Sequence, residues 1–141
     1  DYIHSKKLLA GIYTDVGSRT CADYEGSYKH EDIDALTYAN WGIDLVEEDG
    51  CHQPVGHSYR ELYMRMRRAI LKAYNQTGHP MMLSMRGVWG SEHVEKWGPS
   101  HGTLWRTTGD MSFSGRASWA RMMDNFRNNM RFPGSTQVGA W

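Results

Sequence analysis

Short apolar runs, each bounded by glycine, proline or polar residues, recur along the chain. Four of these runs predict buried strands, over Leu8–Tyr13, Ile43–Glu48, Pro80–Met85 and Thr103–Thr107. Continuous apolar runs of this length are typical of strands that are covered on both faces by helices. The pattern therefore predicts a parallel sheet.

The segments between the strands predict helices. Glu31–Asn40 begins with acidic residues, which are favourable at the positive end of a helix dipole. Ser58–Gln76 begins with the Ser58-x-x-Glu61 spacing of a capping box. Gly115–Phe132 shows a helical pattern with an apolar face that we expect to pack in the core, formed by Trp119, Met122, Met123, Phe126 and Met130. The alternation of strands and helices predicts right-handed βαβ units and the α/β fold class.

Composition and charge exclude several classes of protein. The 141 residues carry a formal net charge of zero and contain no basic run, which argues against nucleic-acid binding. No apolar stretch approaches the roughly 20 residues that a membrane-spanning helix needs. The chain has neither an internal repeat nor a low-complexity linker, so residues 1–141 are predicted to form a single segment without a domain boundary.

Four motifs follow one another in a fixed order along the chain. Gly11–Cys21 reads GIYTDVGSRTC, and Trp41–Cys51 reads WGIDLVEEDGC. Asn75-Gln76-Thr77-Gly78 and the LWRTTGDM segment Leu104–Met111 come next. In this order the motifs resemble glycoside hydrolase family 27, the α-galactosidases and α-N-acetylgalactosaminidases. The resemblance covers nearly the whole chain.

The resemblance implies a partial (β/α)8 TIM barrel. The four predicted strands correspond to barrel strands three to six, and Val138–Trp141 would lead into strand seven. A closed barrel needs roughly 200–250 residues, so we expect the 141 residues to be completed by further chain or by a partner. The alternative is a small complete domain.

Two aspartates match the catalytic carboxyl groups of the family. Retaining glycosidases use one carboxylate as nucleophile and a second group as acid/base, about 5–5.5 Å apart. By resemblance, Asp49 at the end of the second strand is the nucleophile and Asp110 at a strand end is the acid/base. Tyr13, at the end of the first strand, and Arg106 match residues that contact the sugar. Either aspartate could instead be a loop cap or a salt-bridge partner. Arg106 could likewise be a structural partner of Asp49 or Asp110.

Two positions depart from the family pattern with opposite charge changes. Glu47 stands where the family has a sugar-binding lysine, so a hydrogen-bond donor has become an acceptor. A carboxylate two residues from Asp49 points the same way along a strand and makes ionising Asp49 more costly. Where many members read Ser-x-Cys-Glu-Trp, this chain places Arg86 or Val88 at the position of the glutamate. We expect Glu47 and Arg86 to form a polar pair in the sugar pocket.

Three tryptophans lie eight residues apart in the second half of the chain. Trp97 and Trp105 are interpreted as packing residues, and Trp89 remains a candidate platform for sugar stacking. We expect no metal and no cofactor, since His30-Glu31 lacks the second histidine of a zinc helix motif. The acidic run Glu47–Asp49 could attract calcium, but it lacks the spaced oxygen ligands of a dedicated loop.

Two features favour an oxidising compartment. The resemblance implies a disulfide between Cys21 and Cys51, beside the nucleophile. Asn75-Gln76-Thr77 is an N-glycosylation sequon. Together they predict the secretory pathway, with an extracellular, lysosomal or vacuolar destination.

The sequence leaves three functions open. The first is an α-galactosidase-like retaining hydrolase that binds carbohydrate and acts on terminal α-galactosides, with activity expected only of the complete protein. The second is a non-catalytic family descendant that serves as a carbohydrate-binding or structural subunit. The third is a glycosidase of altered sugar preference, because the residues that read the sugar hydroxyls have changed.

Overall fold

The computed structural model describes residues 2–87, 92–111 and 118–131. It contains four strands, β1 Gly11–Asp15, β2 Leu45–Asp49, β3 Met82–Met85 and β4 Leu104–Trp105. The five helices of the described residues are α1 Tyr2–Ser5, α2 Glu31–Trp41, α3 Tyr59–Thr77, α4 Val94–His101 and α5 Trp119–Asn129. The strands pair in parallel in the order β1-β2-β3-β4. The predicted α/β class and parallel sheet are therefore confirmed.

The parallel order brings the carboxyl ends of the strands to one edge of the sheet. Asp15 of β1 lies beside Asp49 of β2 in the register, and Tyr13 lies beside Glu47. Side chains two residues apart on a strand point to the same face. Tyr13, Glu47 and Asp49 therefore share one face of the sheet, and Glu48 points to the other.

The helix ends follow their local signals. The hydroxyl of Ser58 accepts a hydrogen bond of 3.1 Å from the backbone N–H of Glu61, as the capping-box spacing predicts. Helices α2 and α3 both end at glycines in the left-handed conformation, Gly42 at φ 74° and Gly78 at φ 72°. Glycine adopts this conformation without the steric penalty of a side chain, so both helices end where the sequence places it.

The core lies between the sheet and the helices α2, α3 and α4. The strands contribute Val46, Leu83 and Met85, which are all buried. Helix α3 contributes the largest set, Leu62, Tyr63, Met66, Ala69, Ile70 and Ala73. These residues recur at helical spacing along one side of α3, which explains why the long helix lies against the sheet.

The bounds of all four strands differ from the predicted ones, and β2 and β3 each begin two residues later than predicted. The first strand begins at Gly11 and not at Leu8, and Leu8 and Leu9 are exposed. Strand pairing starts where the backbone of Gly11 meets Leu45 of β2, so the apolar residues before it have no neighbouring strand. The fourth strand is also shorter than predicted, because β4 pairs with β3 only at Leu104 and Trp105.

The predicted core face of the last helix is wrong for the described structure. Helix α5 begins after Ser118, whose hydroxyl accepts from the N–H of Arg121 at 3.2 Å. Of the five predicted core residues, Trp119, Met122, Phe126 and Met130 are exposed, with Trp119 at 72%, and Met123 is half-buried. The helix instead contacts the preceding loop through polar side chains. The predicted helical segment Gly115–Phe132 extends at both ends beyond the described residues. Val138–Trp141, which was expected to lead into strand seven, also lies outside them.

Candidate active site

Asp49 is the last residue of β2, and its carboxylate is buried and hydrogen bonded. The hydroxyl of Tyr13 donates to Asp49 Oδ2 at 2.8 Å, and the N–H of Gly50 donates to Oδ1 at 2.9 Å. Only 8% of Asp49 is exposed. Burial is the largest cause that raises the pKa of Tyr13, and the hydrogen bond to Asp49 is the next largest. The phenol therefore keeps its proton and remains a donor. Tyr13 lies in the middle of β1, not at its end.

A disulfide and a second aspartate hold the turn that follows Asp49. The structure contains the disulfide between Cys21 and Cys51, with the two Cα atoms 5.1 Å apart. Asp15 accepts hydrogen bonds from the backbone N–H groups of Gly17 and Cys51 at 2.8 and 2.9 Å. Burial raises the pKa of Asp15, and these N–H groups act in the opposite direction. Asp15 was not among the predicted site residues, although its place at the end of β1 is a signal in the sequence.

Within the described residues, one group of potential metal ligands lies close together, formed by Asp15, Cys21 and Cys51. The two sulfur atoms of this group are joined in the disulfide. The chemistry of this group therefore fits a structural crosslink and not a metal centre.

Glu47 and Arg86 form the ion pair that their opposite charge changes predicted. Arg86 follows β3 directly, and its guanidinium donates to the carboxylate of Glu47. The Nε of Arg86 also lies 4.0 Å from Oδ2 of Asp49. The hydrogen bond to Glu47 raises the pKa of Arg86. One cation thus lies against two carboxylates of the same strand.

Two glycines fix the distance between Arg86 and Asp49. A Cβ atom on Gly87 would lie 2.4 Å from the Cα of Gly50, so the two backbones touch immediately after Arg86 and Asp49. The hydroxyl of Tyr59 donates to the carbonyl of Gly50 at 2.7 Å. Any side chain at Gly87 would force the ends of β2 and β3 apart.

The hydroxyl of Tyr63, on the same helix, joins both strand ends. It donates to the carbonyl of Glu48 at 3.2 Å and accepts from the N–H of Gly87 at 2.7 Å. Tyr63 is fully buried. Helix α3 therefore holds the ends of β2 and β3 from behind the sheet.

Asp110 lies in a loop and not at a strand end, which corrects the prediction. Strand β4 ends at Trp105, and Asp110 follows five residues later. Arg106 comes directly after the strand, and its guanidinium donates to the carboxylate of Asp110. The sequence left open whether Arg106 is a structural partner of an aspartate, and the structure pairs it with Asp110.

A polar stripe on α5 holds the loop that carries Asp110. Asn129 accepts from the hydroxyl of Thr107 at 2.9 Å, and Asn125 donates to the carbonyl of Gly109 at 3.0 Å. Arg121 donates to the carbonyl of Asp110 at 3.1 Å. The three side chains recur every four residues along the helix, which is the spacing of a single helix face. The sequence did not predict this stripe, because the apolar spacing of α5 marks only its other side.

The charged side chains line one cleft of about 480 Å³. Its walls include Glu47, Arg86, Arg106 and Asp110, together with Asn125 of α5. Asp49 borders the cleft through its contact with Arg86. The arrangement therefore brings the predicted pair of Glu47 and Arg86, and the observed pair of Arg106 and Asp110, to one opening.

The remaining predicted residues fall into two groups. Trp97 and Trp105 are buried in the core, as predicted. Asn75 is exposed in the last turn of α3. Trp89 and Val88 lie outside the described residues. No helix of the described chain is both long and apolar enough to cross a bilayer.

Comparisons with known proteins identify the family. A family model described as Alpha galactosidase A matches residues 1–131. Alpha-galactosidase 2 of Arabidopsis thaliana is 38% identical over 142 residues, which cover 100% of this chain and 33% of the relative. Alpha-galactosidase A of Cellvibrio japonicus is 46% identical over 112 residues, which cover 79% of this chain and 26% of the relative. The chain spans about a third of the length of the curated relatives that it matches.

The fold agrees with this assignment. The crystal structure of alpha-galactosidase I from Mortierella vinacea superimposes with a TM-score of 0.77 at 29% identity, covering 99% of this chain and 39% of that chain. The four strands and their helices are part of a TIM barrel of the α-galactosidase type. The chain belongs to glycoside hydrolase family 27, the family of the α-galactosidases.

Proposed function

We propose that the complete protein is a retaining glycoside hydrolase that acts on terminal α-galactosides, with Asp49 as nucleophile and Asp110 as acid/base. The observation that carries the proposal is the setting of Asp49. Its carboxylate ends a parallel strand, is held by Tyr13 and Gly50, and lies at the sheet edge that also carries Asp110. In TIM-barrel enzymes this edge is the catalytic face.

The reaction divides into two steps. In the first, a carboxylate oxygen of Asp49 attacks the anomeric carbon, the glycosidic bond breaks, and the leaving oxygen takes the proton of Asp110. In the second, Asp110 removes a proton from a water molecule, which attacks the same carbon and releases Asp49 as a carboxylate. Each step inverts the anomeric carbon, so the product keeps the configuration of the substrate.

The surrounding residues have supporting roles in this proposal. Tyr13 donates to Asp49 and keeps its carboxylate oriented. Arg106 donates a hydrogen bond to Asp110 and orients its carboxyl group in the cleft. Glu47 and Arg86 line the cleft and would bind sugar hydroxyls, as an acceptor and a donor respectively. Trp89 would offer a stacking surface.

Kinetics of the full-length protein test these roles separately. Asp49→Asn keeps the shape of the side chain and loses the nucleophile, so turnover of aryl α-galactosides should fall by at least about 10³-fold. Asp110→Asn should slow substrates with poor leaving groups most, because these depend on protonation. Equal losses for good and poor leaving groups would contradict the role of Asp110.

A second candidate function is a non-catalytic carbohydrate-binding subunit. Both cations of the cleft are engaged by carboxylates, Arg86 by Glu47 and Arg106 by Asp110, which favours this alternative. It predicts that the full-length wild type binds galactosides without turnover at any pH. Isothermal titration beside a rate assay separates the two functions.

We propose a secretory destination, extracellular, lysosomal or vacuolar, from the disulfide and the exposed Asn75 sequon. Asn75 should then carry a glycan. Masses of the Asn75 peptide from glycosylating cells, before and after enzymatic deglycosylation, check this. Identical masses would remove one of the two arguments for secretion.

A further inference from the structure

Arg86 lies between two carboxylates that would otherwise repel one another. Glu47 and Asp49 are two residues apart on β2 and point to the same face of the sheet. Their Cα atoms are therefore roughly 6–7 Å apart, since a strand rises about 3.3 Å per residue. At this separation a second anion disfavours the ionised form of the first. Nucleophilic attack by Asp49 requires that ionised form.

Arg86 is placed where its positive charge offsets the repulsion between Glu47 and Asp49. Its guanidinium donates to Glu47 while its Nε lies 4.0 Å from Asp49 Oδ2. The backbone N–H of Arg86 donates to the carbonyl of Glu48 at 2.9 Å, and Gly87 touches Gly50. The backbone of Arg86 is therefore fixed against β2, and its side chain has a short reach to both carboxylates.

The other titratable groups around Asp49 do not supply this charge. Tyr13 of β1 is a neutral donor, and Asp15 of β1 is another carboxyl group. Helix α3 presents Tyr59 and Tyr63, which are both phenols. Asp110 is a carboxyl group that is itself paired with Arg106. Among the described residues facing Asp49, Arg86 supplies the cation.

We propose that Arg86 is a positioning residue that, together with Glu47, keeps the nucleophile Asp49 ionised, and that the two residues act as one unit. This inference rests on the proposed role of Asp49. Without Arg86, Glu47 becomes an unpaired anion beside Asp49. When Arg86 and Glu47 are both removed, the summed charge around Asp49 is again that of the wild type. We therefore expect Asp49 to be ionised more readily in the double variant than in the single variant that lacks only Arg86.

The test uses the full-length protein and four variants, Arg86→Gln, Glu47→Gln, the double variant and Arg127→Gln as a matched control. Arg127 is an exposed arginine of α5 that pairs with Asp124 outside the cleft. The pH dependence of kcat/KM for an aryl α-galactoside is measured for each. Arg86→Gln should move the acidic limb upward by about one pH unit, a tenfold loss on that limb. The double variant should return the limb to within about 0.3 pH units of the wild type.

A different outcome would overturn the inference. If Arg86 only binds sugar hydroxyls or supports the fold, Arg86→Gln lowers kcat/KM by the same factor at every pH, and removal of Glu47 does not restore it. A shift of the limb in the Arg127→Gln control would also count against a local effect. A fifth variant, Arg86→Lys, keeps the charge and should retain the acidic limb of the wild type.

A second readout separates this inference from the proposed function. Full-length protein labelled with ¹³C at the aspartate carboxyl carbons reports the ionisation of Asp49 by NMR without substrate. The Asp49 signal should titrate at higher pH in Arg86→Gln than in the wild type, and return in the double variant. If the wild type lacks turnover, the proposed function fails, and this comparison alone decides the inference.

Discussion

Three consecutive carboxyl groups at the end of β2 meet three different surroundings. Glu47 pairs with Arg86 in the cleft, and Asp49 accepts from Tyr13. Glu48 points to the opposite face, where only 1% of it is exposed and its Oε2 atom has no hydrogen-bond partner among the described residues. The alternation of side chains along a strand explains how neighbours in sequence acquire such different chemistry.

Burial raises the pKa of Glu48 well above its usual value, and the nearby carboxyls of Glu31 and Asp15 raise it further. Arg65 acts in the opposite direction, but its guanidinium is engaged by Glu31, at 2.8 Å from Nε to Oε1. At a pH below the pKa of Glu48 in the unfolded protein, Glu48 is protonated in both the folded and the unfolded protein, and its ionisation does not affect stability. At a pH above that value, Glu48 releases its proton only in the unfolded protein. The stability of the fold therefore falls as the pH rises towards the pKa of Glu48 in the folded protein.

Glu48→Gln should therefore stabilise the full-length protein at pH 7 and leave it unchanged near pH 4. We expect a Tm higher by a few degrees at pH 7, and equal to the wild type within about 1 °C at pH 4. Calorimetry across this range checks it, with the exposed Glu25→Gln as matched control. A stabilisation that is the same at both pH values would contradict a neutral, buried Glu48.

At the residue scale, the sequence predicted the Glu47–Arg86 pair because two departures of opposite charge suggested a contact. It did not predict the burial of Glu48, because that depends on how α2 and α3 cover the outer face of the sheet. It also missed Asp15, whose role is to accept backbone N–H groups from two separate turns. Contacts of this kind leave no periodic signal.

At the scale of elements, strand–helix alternation was sufficient to predict the parallel sheet and three of the helices. Helix α4 was missed because Gly98 and Pro99 lie within it and both disfavour helices. Its tertiary contact explains the glycine, since a Cβ on Gly98 would lie 2.9 Å from the indole of Trp105. Packing against β4 thus outweighs local propensity in α4.

Helix α5 shows the opposite error. Its apolar spacing predicted a core face, but that face is exposed and the polar stripe of Arg121, Asn125 and Asn129 contacts the Asp110 loop. The period of a helix reveals which residues share a face. It does not reveal which face the neighbouring segment covers.

At the scale of the whole molecule, the described sheet has two edges, at β1 and β4. Unpaired strand edges are unfavourable when exposed, and a closed barrel removes them. The 141 residues correspond to about a third of the length of the curated relatives. We therefore propose that the remainder of the barrel, or a neighbouring subunit, completes both the sheet and the sugar pocket.

The central claim is that Asp49 is the nucleophile of the complete enzyme. The most direct measurement is mass spectrometry of the full-length protein after incubation with 5-fluoro-α-galactosyl fluoride, a substrate analogue whose glycosyl-enzyme intermediate is hydrolysed slowly. Peptide mapping should find one fluorogalactosyl group bound to Asp49, and none in Asp49→Asn. Turnover of α-galactosides with the covalent group on another residue, or with no covalent group formed, would contradict the claim.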